Sequence, residues 1–265
     1  MVMSFILGFI IELVFNMFSL CIPTMDRYDT FLKKYIPLYL QNDLISEIII
    51  SDENGNDIIK INQTFPNNDK LKLFKNESRL GPFLNKLKAC SKAANEWIVL
   101  IDSDNFADNR YFQIAKQYIN KHIGENEKNI ILAPAKALPN FNYSHLANMI
   151  FKRGNFNENK LREKQIINHT FTQSEVLMNT GNYVLNKYLI NNLNLNTETP
   201  HIPLSSACDV IYLNTLLFEQ LNLNMHIVEN LEYSHVVHDG SIYVQTHQNF
   251  RQFNEYIHQR YRSLI

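Results

Sequence analysis

The sequence predicts an α/β fold in which helices cover both faces of a mostly parallel sheet. Two observations lead to this prediction. Short runs of almost wholly apolar residues recur along the 265-residue chain, and stretches with helical spacing lie between them. Strands that are apolar on both sides are typical of parallel sheets, because helices bury both of their faces. Hydrophobic residues make up 45% of the chain, which is sufficient for one large domain with a substantial core.

The predicted elements follow one another along the chain. Each predicted strand is an apolar run that ends at polar or turn residues; these runs lie at 18–23, 46–57, 58–64, 97–101, 129–135 and within 224–241. Each predicted helix has apolar residues spaced three or four apart; these helices lie at 26–42, 81–95, 110–123, 208–221 and 243–264. A polar stretch at about 152–175 is predicted to be a surface excursion. We therefore expect a single domain over residues 17–265.

The first sixteen residues form a separate hydrophobic segment. Together with the residues up to Pro23 they are long enough to span a bilayer, but they lack the basic flank of a signal peptide, and Glu12 and Asn16 interrupt them. Three interpretations stay open at this stage. Residues 1–20 anchor the protein in a membrane, or they end in a buried strand, or translation begins at Met17.

Charge and cysteine content exclude several classes of protein. The net charge of −1 gives no reason to expect a nucleic-acid partner. Cys21, Cys90 and Cys208 are odd in number and widely spaced, so they form neither a disulfide framework nor a zinc pattern. Such cysteines are typical of a reducing compartment. We expect the protein in the cytoplasm or on the cytoplasmic face of a membrane, and the sequence gives no expectation about oligomeric state.

An apolar strand runs directly into two carboxylates. Residues 97–101 are all apolar, and Asp102, Ser103 and Asp104 follow at once. Alternate residues of an extended segment point the same way, so two like charges would meet and resist ionising together. A divalent cation such as Mg²⁺ or Mn²⁺ removes that cost and keeps positions open for the phosphates of a substrate. The alternative is a turn in which the aspartates cap backbone amides.

From about Phe18 to about Ser241 the sequence resembles the glycosyltransferases of the GT-A fold, above all the large family 2. The stretch SLCIPTMDRYDTFLKKYIPLYLQ is similar to that family's opening strand, Pro-Thr turn and first helix. EIIISDENGND resembles its second strand, and NKLKACSKAANEWIVLIDSDN resembles the helix and strand that lead to its metal motif. NTGNYVLNK, at 179–187, resembles the floor of its acceptor site.

The resemblance implies roles for particular residues. Asp52 would contact the nucleobase or ribose, Lys86 would lie near the nucleotide, and Asp102 would touch ribose more than metal. Asp104 would bind the cation, and Asp102 would contribute to the metal site through water. The residues expected to bind the nucleotide-sugar are Pro23, Asp52, Lys86, Asp102, Ser103 and Asp104.

The catalytic base and a late metal ligand are also implied by the resemblance. Asp209 lies where the family carries its base at a helix start, although Cys208-Asp209 replaces the acidic pair that is usual there. The alternative for Asp209 is a helix cap. His235 and His238 lie where several GT-A enzymes carry a histidine that completes the metal site. Because this segment looks extended, at most one of the two is expected to bind the metal, and a core or loop role stays open for each.

We therefore expect a metal-dependent transfer of a sugar from a nucleoside-diphosphate sugar, with UDP favoured by family analogy, to an acceptor hydroxyl. The acceptor could be a glycan, a protein, a lipid or a small molecule, and a single displacement assisted by Asp209 predicts inversion. A retaining enzyme, a phosphatase of the haloacid-dehalogenase type and an inactive scaffold stay open as alternatives. A sugar-nucleotidyltransferase is disfavoured, because the first turn, IPTMDRYD, has no glycine to hold a triphosphate.

Overall fold

A computed structural model describes residues 18–153, 181–195, 208–241, 244 and 251–264. In these ranges the chain forms one nine-stranded sheet. We number its strands β1 to β9, with these bounds: Phe18–Thr24, Ile45–Asp52, Leu71–Lys75, Trp97–Leu100, Ile130–Leu138, Phe141–Asn142, Ile150–Phe151, Val184–Asn186 and Asn224–Ser234. The strand order is β3-β2-β1-β4-β8-β5-β9-β7, and β6 pairs with β5. The fold is the mostly parallel, open α/β fold of the GT-A type that the sequence predicted.

Seven α-helices pack around this sheet in the described ranges. We number them α1 to α7, with these bounds: Lys33–Leu40, Asn56–Thr64, Gly81–Ser91, Asn109–His122, Lys187–Asn191, Asp209–Leu221 and Arg251–Arg262. One π-helical turn, Tyr28–Leu32, leads into α1, and a 3₁₀ turn, Ser144–Leu146, follows β6.

The sheet is parallel where β1, β2, β3 and β4 pair and where β5 pairs with β9. The short strand β8 joins these two halves by pairing antiparallel with both β4 and β5. Because β8 is antiparallel to both neighbours, β4 and β5 run in the same direction. The carboxyl ends of β1, β2, β4, β5 and β9 therefore meet at one edge of the sheet.

Alternate residues of each central strand face opposite layers, as the pleat of a strand requires. In β4, Ile98 and Leu100 pack into one hydrophobic cluster, whereas Trp97 and Val99 pack into the other. The first cluster includes α3, α5, α6 and α7, and the second includes α1, α2 and α4. Burial on both faces explains why the central strands are mostly apolar.

One predicted strand is wrong, and four observed strands, β3, β6, β7 and β8, were not predicted. Residues 58–64 were expected to be a strand but belong to helix α2, which begins where Gly55 adopts a φ of +87°. The third parallel strand is instead β3, Leu71–Lys75, whose residues are only partly buried at the sheet edge. The run Ile58-Ile59-Lys60-Ile61 fits a strand or one helical face equally well, so apolar spacing alone could not decide.

Three sequence-based expectations lie wholly or partly outside the described residues. The hydrophobic segment 1–16 lies outside them, as does most of the polar stretch at 152–175 and the beginning of NTGNYVLNK. None of the helices in the described ranges combines the length and the apolar character that crossing a bilayer requires. Cys21, Cys90 and Cys208 are buried, and no disulfide joins any two of them.

Candidate active site

The candidate site lies where the order of the strands reverses. From β1 the chain builds β2 and β3 on one side and then returns to place β4 on the other side. In open α/β sheets, ligands bind outside the carboxyl ends of the strands at such a point. Here β1 ends at Thr24, β2 ends at Asp52, and β4 runs into Asp102.

The carboxylate loop, which we define as residues 101–106, is fixed by backbone hydrogen bonds. The amide of Asn105 donates to the carbonyl of Asp102 (2.9 Å), which closes a tight turn. Phe106 and Ser234 exchange two backbone hydrogen bonds of 3.0 and 2.7 Å, and Asn105 Oδ1 accepts from the amide of Val236 (3.0 Å). The loop is thereby held against the end of β9. Asp102 and Asp104 therefore lie on a rigid segment.

Lys86 joins two of the predicted site residues. Its Nζ lies 2.5 Å from Asp102 Oδ1 and 2.6 Å from Asp209 Oδ2. The side chains of Lys86 and Asp209 are only 8% and 10% exposed. Helix α3 supplies the lysine, the loop after β4 supplies Asp102, and the first turn of α6 supplies Asp209. Three separate elements thus converge on one buried ion cluster.

The charges of this cluster act on one another. Burial alone would lower the pKa of Lys86, but the carboxylates of Asp102 and Asp209 outweigh it and raise that pKa above its usual value, so the amine stays charged. Burial raises the pKa of Asp102 to about 6. Lys86 opposes this rise, whereas the neighbouring carboxylates of Asp104 and Asp209 add to it. The pKa of Asp102 is therefore about two units above that of an ordinary aspartate.

Asp209 does not cap its helix in this structure. Cys208 is the N-cap residue of α6, and no side chain at that position accepts a hydrogen bond from the helix. The carboxylate of Asp209 instead faces Lys86. The structure therefore does not support the alternative in which Asp209 is the N-cap of α6.

Of the two late histidines, His238 meets the carboxylate loop. His238 Nε2 lies 3.0 Å from Asp104 Oδ2, and the two side chains are 22% and 21% exposed. The ring of His238 also packs on that of Phe31, with the centroids 5.1 Å apart. His235 has a different neighbour, because its Nδ1 lies 2.9 Å from the side-chain amide nitrogen of Asn140. In this structure His238 contacts Asp104 and His235 contacts Asn140, and a part for His235 in the metal site stays a prediction.

Asp52 has a structural role in this arrangement. The residue is fully buried, and its carboxylate accepts hydrogen bonds from the backbone amides of Asn54, Asp57 and Ile58. These bonds begin helix α2 and leave the side chain no exposed surface. Contact between Asp52 and a nucleobase stays a prediction, and it would require this carboxylate to leave its cap.

Asp57 is a positioning residue that sequence reasoning missed. It is buried, and its carboxylate accepts from the Thr24 hydroxyl (2.5 Å), from the amide of Arg27 (3.0 Å) and from the amide of Tyr28 (2.8 Å). The loop after β1 is thereby fixed to helix α2. The only sequence signal was that Asp57 follows the last residue of β2, Asp52, by five positions, and such pairs of acidic residues are common in turns.

Asn182 is a second residue that sequence reasoning did not single out. Its Oδ1 accepts from the amide of Asp102 (2.6 Å), and its carbonyl accepts from the Tyr111 hydroxyl (3.1 Å). Gly181 precedes it with a φ of +75°, which glycine adopts at little cost. The segment that resembles an acceptor-site floor thus supports the carboxylate loop directly.

Pro23 and Ser103 lie at the same edge and are both buried. Pro23 is the penultimate residue of β1, and Ser103 lies between the two aspartates. Their part in binding a nucleotide-sugar stays a prediction.

The donor set of this site fits a divalent cation that is shared with a substrate. Among the described residues, no three His, Cys, Asp or Glu side chains cluster as metal ligands. Asp104 and His238 nevertheless form a carboxylate–imidazole pair that is about one fifth exposed; the carboxylate suits Mg²⁺ or Mn²⁺, and the imidazole suits a transition metal. Asp102 is occupied by Lys86. Asp104 and His238 are therefore the residues here that would hold a divalent cation.

Comparison with protein families identifies the chain. The profile described as glycosyl transferase family 2 matches residues 19–181, which is more than half of the sequence. The chain belongs to glycosyl transferase family 2. The matched range of this family 2 chain runs from β1 to Gly181, so it includes Lys86, the carboxylate loop and Asp57. A sequence comparison with curated proteins found no match.

Solved structures share the fold of this family 2 chain. S. aureus TarS 1–349 in complex with UDP-GlcNAc superposes with a TM-score of 0.61 and 13% sequence identity, covering 92% of this chain and 66% of that one. TarS 1–349 in complex with UDP gives 0.54 and 13%, with coverages of 84% and 61%. TarS in a longer form gives 0.56 and 11%, with coverages of 92% and 42%. The family 2 chain therefore spans less than two thirds of the length of these structures.

Proposed function

We propose that this chain is an inverting glycosyltransferase that moves a sugar from a nucleoside-diphosphate sugar to an acceptor hydroxyl, with a UDP-sugar as the favoured donor. Membership of family 2 and the fold shared with TarS, which binds UDP and UDP-GlcNAc, support this proposal. The phosphatase alternative has no such support. The acceptor is a hydroxyl compound whose class we leave to experiment.

The observation that carries the proposal is the buried Lys86 cluster beside Asp104 and His238. A carboxylate in the first turn of α6, Asp209, lies within 2.6 Å of the lysine that also touches Asp102. If the aspartates only capped a turn, they would not require a buried amine and a second carboxylate supplied by two other elements. A charged cluster of this kind in the crevice of an α/β sheet is typical of an active site.

In the proposed reaction Asp209 is the general base. Its carboxylate accepts the proton of the acceptor hydroxyl while that oxygen forms a bond to the anomeric carbon of the donor sugar. The bond from the anomeric carbon to the diphosphate breaks, and its electron pair leaves with the nucleoside diphosphate. Attack from the face opposite the leaving group inverts the configuration. Lys86 orients Asp209 and stabilises negative charge beside it.

Asp104 and His238 are the proposed ligands of Mn²⁺ or Mg²⁺. When bound, the ion supplies Lewis-acid neutralisation of the departing diphosphate. The backbone amide of Asp102 donates to Asn182 Oδ1, and its carboxylate contacts Lys86. We propose that Asp102, fixed in this way, faces the ribose.

Thermal unfolding with a panel of nucleotides tests the proposal. UDP, GDP, CMP and dTDP are each added with Mn²⁺ or with EDTA to the wild type, to Asp104→Ala and to Asp29→Ala, a control at an exposed aspartate. Binding to the folded state raises the midpoint in proportion to RT ln(1 + [L]/Kd). We expect a metal-dependent rise with UDP that Asp104→Ala abolishes and Asp29→Ala retains.

Transfer is then measured as release of UDP from UDP-sugars in the presence of candidate acceptors. Asp209→Asn should bind UDP with Mn²⁺ like the wild type and lose transfer by at least ~100-fold. Folded wild-type protein that binds none of the nucleotides would overturn the proposal and favour an inactive scaffold. Binding without transfer to any acceptor class would indicate a binding protein.

A further inference from the structure

His238 is held from its far side by the loop that follows β1. We define residues 235–241 as the histidine loop. Arg27 Nη2 donates a 2.5 Å hydrogen bond to the carbonyl of Gly240 in this loop. The amide of Ser241 donates to the carbonyl of His238 (2.9 Å), which closes the end of the histidine loop into a turn. The guanidinium therefore binds the turn that carries the proposed metal ligand.

Gly240 lies in contact with both partners. A Cβ atom at Gly240 would lie 3.1 Å from His238 Nδ1 and 3.4 Å from Arg27 Nη1. The glycine backbone is thus packed between the imidazole and the guanidinium. On the opposite side, His238 Nε2 faces Asp104 Oδ2 at 3.0 Å. Loss of the contact with Arg27 would leave the turn that carries this imidazole free to move relative to Asp104.

The backbone of Arg27 is itself fixed. Its amide donates to both carboxylate oxygens of the buried Asp57 at 3.0 Å, and the next amide, that of Tyr28, donates to the same carboxylate at 2.8 Å. Asp57 belongs to helix α2, which packs on the sheet. A continuous series of contacts therefore runs from the core through Asp57, Arg27 and Gly240 to His238.

We propose that Arg27 is a positioning residue that holds the histidine loop closed and keeps His238 directed at Asp104, so that these two side chains can share a divalent cation. The inference rests on the proposed function for the role of the cation. It assigns Arg27 no contact with the reacting atoms. Arg27 acts through His238, as the partners of metal-binding histidines do when they fix ring orientation.

Two measurements on the full chain test this inference. The first is hydrogen exchange of the histidine loop, measured by mass spectrometry in EDTA without nucleotide. The second is the Mn²⁺ concentration that gives half of the UDP-dependent thermal shift. The variants are Arg27→Ala, Gly240→Ala and, as a matched control, Arg153→Ala, since Arg153 likewise donates to a backbone carbonyl, that of Glu219, at a place remote from the site.

We expect Arg27→Ala to speed exchange in the histidine loop about tenfold and to raise the required Mn²⁺ concentration by ~10–100-fold. Gly240→Ala should raise the Mn²⁺ requirement as well, because its new methyl group presses on the imidazole. Arg153→Ala should match the wild type in both measurements.

Two results would overturn the inference: exchange in Arg27→Ala equal to that in Arg153→Ala, or faster exchange with an unchanged Mn²⁺ requirement. A wild type without any Mn²⁺-dependent UDP shift would overturn the proposed function instead. The exchange rates would still decide whether Arg27 holds the histidine loop, so the two failures are distinguishable.

Discussion

At the scale of single residues, Lys86 decides whether two neighbouring carboxylates can be buried together. Asp102 and Asp209 both contact its amine, and no other lysine or arginine in the described part of the chain forms an ion pair with either of them. Removing one member of a buried ion cluster leaves the remaining charges without compensation. The stability of the protein should therefore depend strongly on this lysine.

Lys86→Met should lower the free energy of unfolding by ~3–5 kcal/mol, because it leaves the buried carboxylates of Asp102 and Asp209 without their counter-charge. Lys136→Met is the control, because its ion pair with Glu232 is 3.1 Å long and about one third exposed, and such pairs contribute at most ~1 kcal/mol. Urea unfolding of both variants measures the difference. Equal losses would contradict the role assigned to the Lys86 cluster.

The pKa of Asp102 predicts a pH dependence of stability. Burial raises this pKa to about 6 in the folded protein, from 3.8 for the ordinary group. Between these values the folded state binds more protons than the unfolded state. The stabilisation of the folded state that this protonation contributes is therefore complete below about pH 4 and is lost as the pH rises through about 6. The shift in the pKa of Asp102 corresponds to at most ~3 kcal/mol in the free energy of unfolding.

Asp102→Asn removes this titration. The unfolding midpoint of the wild type minus that of Asp102→Asn should therefore be larger at pH 4.5 than at pH 7.5. Thermal unfolding of both proteins in EDTA across this range gives the difference. A difference that is constant with pH would show that Asp102 has the same pKa in both states.

At the scale of elements, the junction between the segment before β8 and helix α6 is sterically tight. Gly181 has a φ of +75°, and a Cβ atom there would lie 2.4 Å from Val210 Cγ2. Val210 follows Asp209 in α6, and Asn182 follows Gly181 beside Asp102. This contact therefore sets the separation between the proposed base and the carboxylate loop.

Gly181→Ala should lower the free energy of unfolding by ~1–3 kcal/mol or more, since both the backbone conformation and the contact become strained. Gly124→Ala is the matched control, because its nearest neighbour, Glu127 Cγ, would lie 3.7 Å away. Chemical denaturation of the two variants measures the losses. If Gly181→Ala were as stable as Gly124→Ala, helix α6 would not be in close contact with this segment.

The elements also show what the sequence could and could not predict. The central strands were predictable because each is a short apolar run, and Asp102, Asp104 and Asp209 follow or begin well-marked elements. Helix α2 was not, because three isoleucines in four positions fit both spacings. Apolar spacing also does not reveal that the carboxylate of Asp52 accepts hydrogen bonds from the amides of Asp57 and Ile58. The contact between Arg27 and the histidine loop was also not predictable. Arg27 and Gly240, which share the hydrogen bond, are 213 positions apart, so no local sequence pattern could reveal it.

At the scale of the whole molecule, the last helix belongs to the main core. Ile257, Tyr261 and Leu264 are buried in the same hydrophobic cluster as α6, and the ring of Tyr261 lies 6.4 Å from that of Phe218. Arg260 Nε also donates to Glu219 Oε1 at 2.6 Å. The carboxyl-terminal helix is therefore part of the domain that holds Asp209.

Tyr261→Ala should lower the free energy of unfolding by ~3–5 kcal/mol and leave a single cooperative transition. Tyr256→Ala on the same helix is the control, because that side chain is 53% exposed and its loss should stay within ~0.5 kcal/mol. Circular dichroism during urea unfolding measures both. A separate early transition in Tyr261→Ala would mean that α7 unfolds independently of the sheet.

The bonds that hold the carboxylate loop against the end of β9 also have a consequence for synthesis. Val236 and Asn105, which share one of them, are 131 positions apart. A ribosome that adds ~5–20 residues per second delivers the second partner roughly 7–26 s after the first. Strand β4 meanwhile lacks β8 and presents an open edge to other nascent chains. We expect no nucleotide to stabilise this intermediate, since the proposed nucleotide site is completed only after His238 has left the exit tunnel.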